Sequence, residues 1–225
     1  MRREQLDFIV KSPYKNLLRF KSHNRKNWFA PEFDIPIWES SINTKFIEKI
    51  HKILKKDKFY HHGSRLNGFW KTYNFFSKNY SFIANLKNKI KKEVVRYLKS
   101  LDKDYIDPFY INGWVYPMKE NTELPLHIHA FHEHSFISGQ IMLSSSKLPV
   151  GFVLPHLSIE YGVLYRENQQ GGLRLFPSYL PHMVPKLTQK ERWTLAFDIF
   201  TNDFIQLFQK KIKDTREPVS RAIKL

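Results

Sequence analysis

Residues 171–200 read GGLRLFPSYLPHMVPKLTQKERWTLAFDIF, and the succession of turn, strand, corner and strand in this stretch decides the fold. Gly171 and Gly172 open a turn, and the apolar run that follows predicts a strand over Gly172–Phe176. Pro177 and Pro181 then flank a corner that delivers His182. Ten residues later Arg192 heads a second strand that alternates strictly. Arg192, Thr194, Ala196 and Asp198 share one face, and Trp193, Leu195, Phe197 and Ile199 share the other. The second set is a core face. The first offers a guanidinium beside a hydroxyl, a pair suited to clamping a carboxylate in bidentate fashion.

Upstream, residues 124–143 read LPLHIHAFHEHSFISGQIML, with four histidines and a glutamate between His127 and His134. On a strand His127 and His129 point to one side while Leu126 and Ile128 point to the other, so two imidazoles can reach one ion. The plainer alternative is an exposed polar strand whose histidines bond to backbone or water, a reading that suits one histidine better than a cluster. The chain has no cysteine, which excludes disulfides and thiolate sites and leaves His, Asp and Glu as metal ligands. A metal that must also bind reactants takes three protein ligands on one side and keeps open positions opposite, and His182 is the candidate for the third.

Further short β-like runs at Tyr110–Tyr116, Leu124–Ala130, Ser135–Leu143 and Val150–Leu154 join Gly172–Phe176 and Arg192–Phe200 in a sandwich or barrel pattern. The first half differs. Phe46, Ile47, Ile50, Ile53 and Leu54 form the stripe of an amphipathic helix over Thr44–Lys56 capped by Asn43. Phe82, Leu86, Ile90, Val94 and Leu98 predict a second helix near Asn79–Leu101, and residues 57–76 read as loop and short strand. Residues 1–43 read as irregular apart from an early strand near Phe33–Trp38, and a helix-like segment with Phe204, Leu207, Phe208 and Ile212 opens the C-terminal stretch. The expected class is therefore α+β in one domain: a helical and irregular support layer over 1–107, a β core of sandwich or barrel type over 108–200 and a C-terminal helix and tail over 201–225.

The net charge of +16 is concentrated in residues 1–103, with 24 Lys and Arg against 9 Asp and Glu, whereas residues 104–200 carry 7 against 9. A solvated lysine face on a neutral core explains this more simply than a dedicated polyanion site, although nucleic acid stays open as a partner. The sequence shows neither an apolar run long enough to cross a membrane nor a secretory signal, so a reducing cytoplasm is the expected setting.

These strings resemble the 2-oxoglutarate- and Fe(II)-dependent oxygenases, in particular a branch known from viral and bacterial genomes. That family shows a Trp-containing strand, then an H-x-D/E or H-x-H pair leading into an "lSGvyYL"-like strand. Near its end comes "lvlFPs.lpH.v", with an Arg about ten residues past that His. This chain has Trp114 in NGWVYP, His127-Ile-His129, FISGQIML, LRLFPSYLPHMV with His182, and Arg192-Trp-Thr194. The resemblance covers about residues 108–200, and more loosely the region from Phe33.

The resemblance implies a double-stranded β-helix (jelly roll, cupin-like) with the N-terminal helices on its outer face. It implies Fe(II) held by His127, His129 and His182, with 2-oxoglutarate chelating the iron and paired at its far carboxylate with Arg192, assisted by Thr194. O2 completes a hydroxylation that releases succinate and CO2. The family's usual second ligand is a carboxylate, which leaves a second assignment open in which Glu133, or the pair His132 and His134, supplies a ligand. Otherwise that segment lines the substrate mouth. Trp114, Tyr116 and Gln140 are candidates for the pocket wall or plain core. The substrate is expected to be a small molecule or a peptide side chain, without a membrane partner. Two other classes compete: a cupin-type dioxygenase without 2-oxoglutarate, and a non-enzymatic basic nucleic-acid-binding or virion-associated protein.

Overall fold

A computed structural model of the chain describes residues 9–23, 27–29, 32–60, 73–104, 108–130, 134, 136–146, 148–154, 162–211 and 218–225. In chain order its elements are β1 (Leu17–Lys21), β2 (Asp34–Ser41), α1 (Thr44–Lys56), α2 (Ile83–Ser100), β3 (Phe109–Lys119), β4 (Leu124–His127) and β5 (Ile137–Met142). They continue with β6 (Val150–Val153), β7 (Val163–Arg166), β8 (Gly172–Pro177), β9 (His182–Val184), β10 (Glu191–Thr201), α3 (Asn202–Lys211) and β11 (Ile223–Lys224). One sheet has seven strands in the order β1-β2-β8-β5-β10-β3-β11, and the other has four in the order β4-β9-β6-β7. From β4 to β10 the chain passes repeatedly from one sheet to the other, and every pairing is antiparallel. That winding is the double-stranded β-helix.

Helix α1 has the bounds its stripe predicts, and the Asn43 side chain accepts from the Phe46 N–H at 3.1 Å. It buries Ile47, Ile50 and Leu54, but Ile53 falls outside the stripe and is exposed. Helix α2 begins at Ile83, later than expected, and buries Leu86, Ile90, Val94 and Leu98. Both helices pack on one face of the large sheet, where Trp193, Leu195, Phe197 and Ile199 of β10 meet Ile141 of β5 and Leu175 of β8. Each such side chain taken out of water contributes about 1.5–3 kcal/mol. The indole N–H of Trp38 in β2 donates to Glu93 of α2 at 2.9 Å and ties layer to sheet. A second core, with Phe20, Ile35, Ile37, Phe152, Leu164 and Phe176, fills the space between the two sheets.

Several elements differ from the expectation. The N-terminal region holds two strands, because β1 pairs in full register with β2 from Leu17↔Trp38 to Lys21↔Asp34. Strand β9, with three residues, is too short to carry a periodic signal and exists through pairing with β4 and β6, while β7 pairs with β6. Between 57 and 76 the described residues form helical turns, including Phe75–Ser77, and no strand; residues 61–72 lie outside the described residues. Strand β4 ends at His127, short of the expected Ala130. Ile212 lies outside the described residues.

Candidate metal centre

Strand β4 meets β9 with Leu124 opposite Val184 and His127 opposite His182, so one extra residue of β4 is accommodated between the two pairs. On a regular strand with Leu124 facing inward, Leu126 would join it and His127 would turn out. The bulge at Pro125-Leu126 allows Leu124 and His127 both to face the interior and leaves Leu126 55% exposed. Proline is tolerated there because β4 is the edge strand of its sheet. His127 and His182 are thus cross-strand neighbours with ring centroids 4.3 Å apart.

His129 lies just past the end of β4, where its backbone N–H donates to the Ser178 carbonyl at 3.0 Å, within the Phe-Pro-Ser corner that leads to His182. Its ring centroid is 5.5 Å from that of His127 and 5.0 Å from that of His182. Each of the three residues offers a ligand nitrogen within 4.8 Å of the others.

Every Nδ1 in this cluster is already engaged. That of His127 bonds the Pro125 carbonyl at 2.8 Å, that of His182 bonds the Leu180 carbonyl at 2.9 Å, and that of His129 bonds the Asp198 carboxylate at 2.6 Å. Carbonyl and carboxylate oxygens accept, so each Nδ1 carries a proton and each Nε2 is the nitrogen left to face a metal. Burial, reinforced by His129 and His127, holds the His182 imidazole well below its ordinary pKa, and burial with His129 also lowers His127. Both rings are therefore neutral near pH 7, the form that ligates. The donor set and its outer contacts fit a divalent first-row transition ion.

The histidines open onto a cavity of about 500 Å³ between the sheets. On β10, the face carrying Arg192, Thr194, Ala196 and Asp198 looks into it. Arg192 is 1% exposed, and no carboxylate approaches it among the described residues. Its Nη1 and Nη2 each lie 3.5 Å from a thioether sulfur, of Met118 and Met142, and its Nε has no hydrogen-bond partner. Burial, and then the charge of Arg174, pull the guanidinium down to about 10, so it stays charged at neutral pH. Thr194, 3.6 Å from the Met142 sulfur through its hydroxyl, pairs across the sheet with Tyr116. Gln140 also lines the cavity, and its Nε2 is buried without an acceptor.

Trp114 faces the cavity with its ring 5.4 Å from that of His129. Tyr116 belongs both to the wall and to the core between the sheets. His134 stands apart from the three-histidine group and stacks on Phe204 of α3 at 5.1 Å, closing one side of the cavity. His132 and Glu133 lie outside the described residues. The residues that sequence reasoning missed at the centre are Asp198 and Ser138, whose Oγ donates to Asp198 Oδ1 at 2.6 Å. A carboxylate inside the apolar string LAFDIF, on the same face as Arg192 and Thr194, was the available signal.

The winding of the two sheets is a double-stranded β-helix, the fold of the solved structures to which the chain is similar. No family model and no curated protein matches the chain. Among solved structures, iron-bound HygX from Streptomyces hygroscopicus is similar at 12% identity over 90% of this chain and 87% of that one, with a TM-score of 0.54. HygX has also been solved with nickel and 2-oxoglutarate bound. A prolyl-4-hydroxylase from Pseudomonas putida is similar at 12% identity over 73% of this chain and 87% of that one, with a TM-score of 0.52. AviO1 from Streptomyces viridochromogenes Tue57 shares 13% identity over 74% and 89%, again with a TM-score of 0.52. At these identities the likeness is one of fold. No helix among the described residues is long and apolar enough to cross a membrane.

Proposed function

We propose that the chain is an Fe(II)- and 2-oxoglutarate-dependent oxygenase that hydroxylates a C–H bond of a small molecule or a peptide side chain. The observation that carries this reading is the conjunction, in one cavity, of three imidazoles with every Nδ1 engaged and a fully buried guanidinium whose Nε has no partner. A buried cation without a counter-charge is costly, and a carboxylate ligand offsets that cost. His127, His129 and His182 hold the ion, Arg192 pairs with the far carboxylate of 2-oxoglutarate, and Thr194 donates its hydroxyl beside it. Iron and 2-oxoglutarate together supply the oxidation, in which one atom of O2 ends in succinate and the other in the hydroxylated product, with loss of CO2.

The chain's own part is to orient and to exclude water. The thioethers of Met118 and Met142 keep the surroundings of Arg192 apolar, so the carboxylate it binds meets a poorly solvated partner. Phe136, Phe200 and Phe204 wall the cavity beyond the histidines and give the substrate a mainly apolar setting. The lysine-bearing helices α1 and α2 lie across the large sheet from this cavity, which argues against nucleic acid as the group that is oxidised.

The test is equilibrium binding of 2-oxoglutarate to protein loaded anaerobically with Fe(II), followed by oxygen uptake and succinate release. Binding that requires both the metal and Arg192 is the expected result. Stoichiometric metal binding with indifference to 2-oxoglutarate would replace this reading with a cupin-type dioxygenase.

A further inference from the structure

Three imidazole ligands bring no negative charge to a divalent ion. Among the described residues that line the cavity, Asp198 is the one carboxylate. It sits on β10, opposite Ser138 of β5 in register. Its Oδ1 accepts from His129 Nδ1 at 2.6 Å and from Ser138 Oγ at 2.6 Å. Its side chain is 11% exposed, and no Lys or Arg among the described residues lies within ion-pair distance of it. A carboxylate so buried needs compensation, and two hydrogen bonds supply only part of it.

We infer that Asp198 is a positioning residue for the metal centre, holding His129 with Nε2 directed at the ion and supplying through that imidazole the negative charge that the ligands lack. The inference rests on the reading of His127, His129 and His182 as metal ligands. A hydrogen bond from Nδ1 to a carboxylate fixes the tautomer and the ring plane and makes Nε2 a better donor to the metal. Ser138 in turn fixes the carboxylate, so the chain Ser138, Asp198, His129 spans from the centre of the large sheet to the edge of the small one. Metal ion and carboxylate then compensate each other across one imidazole.

The test uses Co(II), read by calorimetry and by its visible absorption, on the full chain. Asp198→Asn, which keeps an acceptor oxygen but removes the charge, and Asp198→Ala, which removes both, are compared with the parent. Both changes are repeated in a His129→Asp background, which has no imidazole to orient. Losses of about 10- to 100-fold in Co(II) affinity are expected for Asp198→Ala, with a smaller loss and a shifted absorption band for Asp198→Asn. In the His129→Asp background, Asp198→Asn leaves affinity unchanged or raises it, because a second carboxylate there repels the first. Affinities within about twofold of the parent, or the same loss in both backgrounds, overturn the inference. The isosteric Asn variant keeps the test decisive should the Ala variant fail to fold. If the parent chain itself binds no Co(II), the ligand assignment fails first, and the inference falls with it.

Discussion

The guanidinium of Arg192 rests on the thioether of Met142, with Nη2 3.5 Å from the sulfur, and has Met118 at the same distance on its other nitrogen. Such contacts desolvate a cation without neutralising it. Without an anionic partner Arg192 therefore works against stability. Arg192→Met fills similar volume with an apolar chain and is expected to leave the melting temperature of the metal-free protein unchanged or higher, as replacements of buried charge by apolar groups often do. The same change should weaken 2-oxoglutarate binding by about 30- to 5000-fold, the usual cost of removing one member of a buried charge pair. Calorimetric titration beside a thermal melt checks both. A melting temperature well below the parent's, with binding intact, would make Arg192 a structural residue.

His182 is the most deeply buried of the three imidazoles, and its ring contacts Phe152 and Phe176 as well as His127. His182→Ala should abolish the rise in melting temperature that Fe(II) or Co(II) with 2-oxoglutarate produces. At a ligand concentration one hundred times Kd that rise corresponds to about 2.7 kcal/mol, or about 5–10 °C for a chain of this size. The parent protein should lose the rise when a chelator is added. A variant that still shows the full shift would remove His182 from the centre.

What the sequence discloses is what local periodicity and short-range spacing encode. The Asn43 cap, the stripe Ile47, Ile50, Leu54 and the alternation of Arg192–Asp198 are properties of neighbouring residues, and the structure places each as that periodicity implies. Strand β9 has three residues and owes its existence to partners on β4 and β6, so no window of sequence displays it. The β4 bulge is equally silent, since plain alternation also puts His127 and His129 on one side and misplaces only Leu124. The bond between His129 and Asp198 joins residues 69 positions apart, and only the register of β10 against β5 brings Asp198 beneath the end of β4.

Away from the cavity mouth, Glu39 of β2 binds two arginines. Arg166 Nε donates to it at 3.0 Å and Arg174 Nε at 2.7 Å, while Arg174 also bonds the side chain of Asn168. Burial pushes the Glu39 carboxyl up, but the bonds from Arg166 and Arg174 outweigh it and hold the group below its ordinary value of 4.5. A depressed carboxylate contributes stability that is fully present above the unfolded value and is lost as pH falls through the folded one. Glu39→Gln should thus cost about 1–3 kcal/mol at pH 7, where two guanidinium groups lose their charged acceptor. It should also show a shallower fall in melting temperature than the parent as pH drops from 5 toward 3. Parallel pH curves for the two proteins would show that Glu39 carries none of the acid sensitivity.

Gly139 stands at the centre of β5, in the string FISGQIML, directly opposite Phe197 of β10 and Leu175 of β8. A Cβ at this position would lie 2.3 Å from the Phe197 ring and 2.9 Å from a methyl of Leu175. The requirement is one of space, since the Phe197 ring crosses the glycine to reach Phe76 under the helical layer, with centroids 6.3 Å apart. Gly139→Ala should therefore destabilise the fold by about 1–3 kcal/mol, the usual cost of overpacking a filled core. Combining it with Phe197→Leu should recover part of that loss, because the smaller side chain frees the volume the new methyl needs, and the two effects should be non-additive. Chemical denaturation of the parent, both single variants and the double variant gives the coupling directly. Simple additivity would mean that the close approach of ring and backbone is not what keeps this position a glycine.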